Sequence, residues 1–298
     1  MWAIRKVAAG ALGAAMFAGL APTPPALAGP QECPAVAVLA ARGSDQNEQL
    51  TPTVYSPGSV WVSNGYEERT IRAFLHYAES RHPTLMRDVP VIALDSEAYP
   101  AKLPLPALAR EDEDIPPLEM ARRTMDLVRE RPAHLIASDA VTGFIASVQA
   151  GVGNALDYVD DWEAQTGCAP GYILIGYSQG AAVLSAQERH LAERGQLVGS
   201  VYLGNPLLRE GDVSVIGAPA RGGGMLSSVP GEVQADSNRM NYCTTDDFSC
   251  DLTIDAALDA LAAGGGVHTR YFLDDPTDHD ELVADTFAGW ITGYTPSP

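Results

Sequence analysis

Apolar positions along this chain fall into two kinds of run, short and unbroken or long and periodic, and the two alternate. The short runs are residues 35–41 (Ala-Val-Ala-Val-Leu-Ala-Ala), 89–94, 172–175 (Tyr-Ile-Leu-Ile) and 198–203. A run of that length with no polar alternation suits a strand covered on both faces, as in a parallel sheet. The long runs repeat every three or four residues. Ile71, Phe74, Leu75 and Ala78 do so over residues 67–81, ending before Pro83. Phe144, Ile145, Val148, Val152, Leu156, Val159 and Trp162 do so over residues 140–163, with Gly167 as the stop. Residues 181–194 read as a helix closed by Gly195. Residues 278–294 read as a last helix burying Leu282, Val283, Phe287 and Trp290. Strands alternating with helices predict an α/β fold with a mainly parallel sheet covered on both sides.

Two stretches stand outside this alternation. The first 28 residues carry Arg5 and Lys6, then an apolar stretch over residues 7–20, then Ala26-Leu27-Ala28. That order predicts a cleaved export signal, too short to span a membrane and followed by Pro22, Pro24 and Pro25, leaving one domain over residues 29–298. No later segment reads as long and apolar enough to span. Residues 102–132 hold five prolines, the acidic run Glu111-Asp112-Glu113-Asp114 and one short helical pattern over 118–129. They read as a surface excursion, or as a flap over a site.

Composition sharpens the compartment. The four cysteines, Cys33, Cys168, Cys243 and Cys250, are an even set in an exported chain and so predict two disulfides. Cys243 and Cys250 would close a small loop and leave Cys33 to meet Cys168. The formal net charge is -19, and the export signal holds only basic charges, so the rest is more acidic still. Such a surface repels nucleic-acid phosphates and anionic membranes and disfavours a polyanionic substrate. No Cys-x-x-Cys or His pairing has zinc-ligand spacing, so a zinc site is not expected.

The chemistry centres on Gly176-Tyr177-Ser178-Gln179-Gly180, which follows the 172–175 strand and opens the next helix. Strand, sharp turn and helix with serine at the tip is the context that exposes a nucleophile, and the turn is tight enough to require glycine two places either side. A serine hydroxyl needs a base, and the base needs a carboxylate to fix its tautomer; chemistry of this kind calls for no cofactor. Three histidines follow Ser178. His190 lies mid-helix and points elsewhere, while His279 opens the last helix among acids. His268 follows Gly264-Gly265-Gly266-Val267, a loop able to bring the ring over the serine. The acid should lie between, and Asp246 and Asp247 sit inside the loop bracketed by Cys243 and Cys250.

Gly-Tyr-Ser-Gln-Gly-Ala, four cysteines, the early Ala41-Arg42-Gly43-Ser44 and a cysteine-bracketed aspartate together resemble the cutinase family of secreted serine esterases, in its larger actinobacterial form. The resemblance runs from Cys33 to the last helix. It implies an α/β-hydrolase-type three-layer sandwich, a triad of Ser178, Asp247 and His268, with Tyr271 as the aromatic residue three places on, and an oxyanion hole from Ser44 and Gln179. It also implies the pairings Cys33–Cys168 and Cys243–Cys250. The expected activity is hydrolysis of a lipid or polyester ester through an acyl-enzyme by an exported monomer. Acetylated xylan and envelope mycolates are alternative substrates, and an envelope-binding protein on a hydrolase scaffold is the non-enzyme alternative. The excursion at 102–132 and a long 203–240 region depart from compact members and bear on the substrate.

Overall fold

The computed structural model describes residues 32–48, 50–104, 116–218, 223–229, 238–262 and 265–295. The expected export signal and the centre of the 102–132 excursion lie outside them. Six strands make one sheet: β1 (Val36–Ala41), β2 (Val91–Ala93), β3 (Gly171–Tyr177), β4 (Leu197–Leu203), β5 (Val215–Gly217) and β6 (Arg239–Cys243). They lie in the order β2-β1-β3-β4-β6-β5, and every pairing is parallel. All strands therefore present their carboxyl ends at one edge, where open α/β sheets place their sites.

The unbroken apolar runs are explained by two separate cores. Along β1, Val36, Val38 and Ala40 enter one cluster and Ala37, Leu39 and Ala41 the other. In β3, Ile173, Ile175 and Tyr177 alternate with Tyr172 and Leu174 in the same way. The first face is covered by α1 (Glu68–Arg81) and α7 (Asp278–Gly293) through Ile71, Phe74, Leu75, Val283 and Phe287. The second is covered by α3 (Ala133–Thr166), α4 (Gln179–Ser185) and α5 (Glu188–Glu193) through Ala155, Val159, Val183, Leu184 and Leu191. Helices α2 (Pro117–Glu130) and α6 (Ile254–Ala262) complete the set. The fold is the α/β three-layer arrangement that the alternation predicts.

Several boundaries differ from expectation. The helix expected over 140–163 is α3, which starts at Ala133 and runs to Thr166, ending on Gly167 in the left-handed region. Its length and composition would let it cross a membrane, contrary to the expectation that no later segment would. Its second half is packed on the sheet through Ala155 and Val159. The helix expected over 181–194 is two helices. The Gln187 amide donates to the Val183 and Val152 carbonyls, and its backbone N–H reaches Leu184 rather than Val183, which tightens the turn between α4 and α5. Leu282 of α7 is exposed, while its neighbour Val283 is buried.

Strands β5 and β6 were not anticipated, and in β6 polar residues alternate with Met240 and Tyr242, which enter the first core. The polar side chains find partners. Arg239 pairs with Glu188, and Asn241 donates to Ser214 while accepting from Asn205. β6 ends at Cys243 and so delivers the small cysteine loop to the site edge.

Candidate active site

Ser178 sits between β3 and α4 with φ 52 and ψ -118, a strained backbone for any residue with a side chain. The strain is held by the tertiary structure. Its N–H donates to Leu203 of β4 at 2.9 Å, and the flanking glycines let backbones meet. A Cβ on Gly176 would lie 2.5 Å from Ala181 Cα, and one on Gly180 1.9 Å from the Ala41 carbonyl oxygen. The turn thus presses α4 against the end of β1.

His268 lies in a short 3-10 turn (Gly266–Arg270) and is buried. Its Nε2 is 2.9 Å from Ser178 Oγ, and its Nδ1 is 2.8 and 2.9 Å from the two Asp247 oxygens. A carboxylate can only accept, so Nδ1 carries the proton and donates, and Nε2 turns a lone pair toward the serine hydroxyl. Asp247 is fully buried. It also accepts from the Ser249 N–H at 2.8 Å and the Tyr271 hydroxyl at 2.5 Å. Burial first, and then the Asp247 charge, push the Tyr271 phenol well above its ordinary pKa, so it remains a protonated donor.

The cysteine loop supports this carboxylate. The Cys243–Cys250 disulfide is formed, as is Cys33–Cys168. Inside the loop the N–H groups of Cys250 and Asp251 both donate to the Asp247 carbonyl. Asp246 is exposed, with φ 64. His190 is exposed on α5 and His279 is exposed on the first turn of α7.

Five residues support this site in ways that could not be read from the sequence. Tyr177 stacks on the His268 ring at 5.0 Å and donates to the His268 carbonyl, and Phe248 meets the same ring edge-on at 4.9 Å. Gly204 (φ 57) leaves room for the pair, since a Cβ there would lie 2.7 Å from His268 Cε1 and 2.9 Å from Asp247 Oδ2. Arg42 is wholly buried and donates to the Leu94 and Tyr99 carbonyls and to Asn47, fixing the loop that carries Ser44. Burial lowers its pKa. Ser147 of α3 donates to Gln179 Oε1 at 2.8 Å and accepts from the Lys102 N–H.

Gln179 is buried and joins three segments. Its Nε2 donates to the Lys102 carbonyl and, at 3.3 Å, to Ser44 Oγ. Ser44 Oγ accepts that bond and keeps its own proton for another partner. Ser44 and the first residue of α4 therefore lie together on the β1 side of Ser178. Among the described residues no group of three His, Cys, Asp or Glu side chains has the arrangement of a metal site.

No protein-family model and no curated protein matches the chain. Solved structures similar to it include an acetylxylan esterase (14% identity, 87% of this chain and 99% of that one, TM-score 0.48). The catalytic core domain of acetyl xylan esterase from Trichoderma reesei is similar at 16% identity over 88% of this chain and 99% of that one, TM-score 0.47. A cutinase-like protein from Cryptococcus sp. is similar at 17% identity, 80% and 92% coverage and TM-score 0.43.

Proposed function

We propose that this chain is a carboxylic-ester hydrolase acting through an acyl-enzyme, with Ser178 as nucleophile, His268 as general base and acid, and Asp247 as the carboxylate that orients the imidazole. The observation that carries the reading is the unbroken relay from a buried carboxylate through Nδ1 and Nε2 to the hydroxyl of a strained serine. Ser178 Oγ attacks the ester carbonyl while Nε2 takes its proton. The tetrahedral intermediate then collapses, the ester C–O bond breaks, and the alcohol leaves with the proton from His268. Water repeats the sequence on the acyl-enzyme, returning the acid product and the free serine.

The backbone N–H groups of Ser44 and Gln179, with the Ser44 hydroxyl, would stabilise the oxyanion. One preorganised donor of this kind is worth roughly 10²–10³ in rate. No step calls for a metal or cofactor. The two disulfides support an exported protein.

Hydrolysis of p-nitrophenyl acetate by the wild type and by Ser178→Ala tests the reading, together with labelling by an organophosphonate. Loss of turnover by about 10⁴-fold or more and loss of labelling are expected. A Ser178→Ala protein that retains wild-type turnover would overturn it.

A further inference from the structure

A cleft of about 730 Å³ opens on the α3/α4 face of the sheet; Ser178, Gln179 and His268 do not line it, and it reaches the residues that follow or hold them. Its volume lies in the range of small-molecule sites. Its near end is formed by Leu103, Ala182 and Leu207, and each of these is tied to the candidate site. Ala182 lies in the first turn of α4, four residues after Ser178. The Leu103 N–H donates to Asp45, next to Ser44, and Leu103 follows the Lys102 carbonyl that holds Gln179. Leu207 follows Gly204, the residue packed against His268 and Asp247.

From there the cleft runs between Phe144 and Val148 of α3 and the turn at 223–229, which contributes Leu226. That turn is a fixed wall. Gly224 N–H donates to Leu208, Leu226 N–H to Pro206 and Met225 N–H to Ser249, beside the Asp247 loop.

The polar side chains at the floor already hold one another. Glu188 accepts from the Tyr202 hydroxyl at 2.7 Å and pairs with Arg239, and Asn241 bonds Asn205 and Ser214. A ligand lying on this floor meets satisfied groups; Gln149, Arg189, Arg209 and Asp212 also line the cleft, but the surface it offers is mainly apolar.

We propose that this cleft is the acyl-chain pocket, and that the esters cleaved at Ser178 carry an unbranched medium or long hydrocarbon chain that lies along Phe144, Val148 and Leu226. The proposal rests on the ester-hydrolase reading. It assigns the substrate-selecting role to the first half of α3 and to residues 205–218 and 223–229, none of which belongs to the proposed triad. Chain length is then selected by burial against the cleft walls, where each added methylene contributes to transition-state binding.

The test compares kcat/KM for p-nitrophenyl acetate and p-nitrophenyl decanoate. Ala186 lines the cleft from α4's end and is itself exposed, so Ala186→Trp obstructs the cleft without entering the core. Ala192→Trp, exposed on α5 outside the cleft, is the control. The wild type should prefer decanoate, and Ala186→Trp should lower the decanoate-to-acetate ratio by about tenfold or more, while Ala192→Trp leaves the ratio unchanged. A catalysis-independent arm titrates sodium decanoate into Ser178→Ala protein by calorimetry, with binding expected there and lost in the Ser178→Ala, Ala186→Trp double variant. A wild type that cleaves acetate at least as well as decanoate, with a ratio untouched by Ala186→Trp, overturns the pocket and leaves the esterase standing. A wild type that cleaves neither ester overturns the esterase reading, and the decanoate titration alone then decides whether the cleft binds a hydrocarbon chain.

Discussion

On the α1/α7 face of the sheet, Phe74 meets Phe272 and Phe287 at ring separations of 4.8 and 5.1 Å, and Tyr242 meets Tyr271 and Phe272 at 5.2 and 5.7 Å. That face is filled. On the α3/α4 face α3 packs on the core from Val148 onward, with Ala155 and Val159 wholly buried, while Val141 and Ile145 of its first half stay exposed. What lies under that first half is the cleft. The filled face supplies the aromatic residues that hold the imidazole and its carboxylate, Tyr177 and Tyr271 among them. Ser178 stands at the end of the strand that separates the two. Groups that need fixed positions within a few tenths of an ångström are backed by dense packing, and the space a variable substrate would need is left on the other side.

The largest effect should come from the relay that the filled face supports. In Asp247→Asn one oxygen becomes an NH₂ group, which must donate where the carboxylate accepted from His268, Ser249 and Tyr271. The imidazole is then pushed toward the tautomer with Nε2 protonated, unable to take the serine proton. A fall in kcat of about 10⁴ is expected, with the fold retained by circular dichroism. A loss of tenfold or less would mean that the carboxylate does not set the tautomer.

Stability should separate the two faces next. Phe287→Ala removes a wholly buried ring and should destabilise by about 3–5 kcal/mol in denaturant unfolding. Phe144→Ala removes a part-exposed ring on the cleft wall and should cost less than about 1 kcal/mol. Equal costs would show that the cleft closes in solution and that the contrast between faces is not real.

A finer test stays within the filled face. Tyr271→Phe keeps the ring and removes the hydroxyl that donates to Asp247 and accepts from the Thr244 N–H. A hydrogen bond to a charged group contributes about 1.5–3 kcal/mol. The matching loss in kcat/KM is about 10- to 100-fold if the bond fixes the carboxylate for catalysis. A Tm that falls while kcat holds would assign Tyr271 to packing alone.

The contrast between faces also explains what was legible in the chain. The two-sided burial of β1 and β3 is written in unbroken apolar runs because every residue there faces one core or the other. The Ser178 turn is written in its glycines because the close approaches are local, within the pentapeptide or to the adjacent strand end. His268 and Asp247 needed the order of partners along the chain and the cysteine bracket, since no local pattern ties them to Ser178. β6 was missed because Arg239 and Asn241 look like loop residues until Glu188, Asn205 and Ser214 are brought to them. The cleft was missed for a related reason. Phe144 and Ile145 belong to the same periodic stripe as Leu156 and Val159, and periodicity cannot tell the part of a stripe that meets the sheet from the part that lines a cleft.

The smallest effect expected is at the outer rim of the filled face, where α1 and α7 are clasped. Arg81 donates to both oxygens of Asp285 at 2.8 and 2.9 Å, and His82 shares one of them. The hydrogen bonds from Arg81, then those from His82, lower the Asp285 pKa to about 2. A carboxyl whose pKa is lower folded than unfolded contributes stability above its unfolded value, and that contribution fades as pH falls through the folded one. The wild-type advantage over Asp285→Asn should therefore be full at about pH 5, shrink between about 4 and 2, and vanish below. All three groups are part-exposed, so the advantage should be a small Tm difference that shrinks further in added salt. If the difference is instead salt-insensitive and persists at pH 2, the clasp is held by packing of α7 on α1 rather than by its charges.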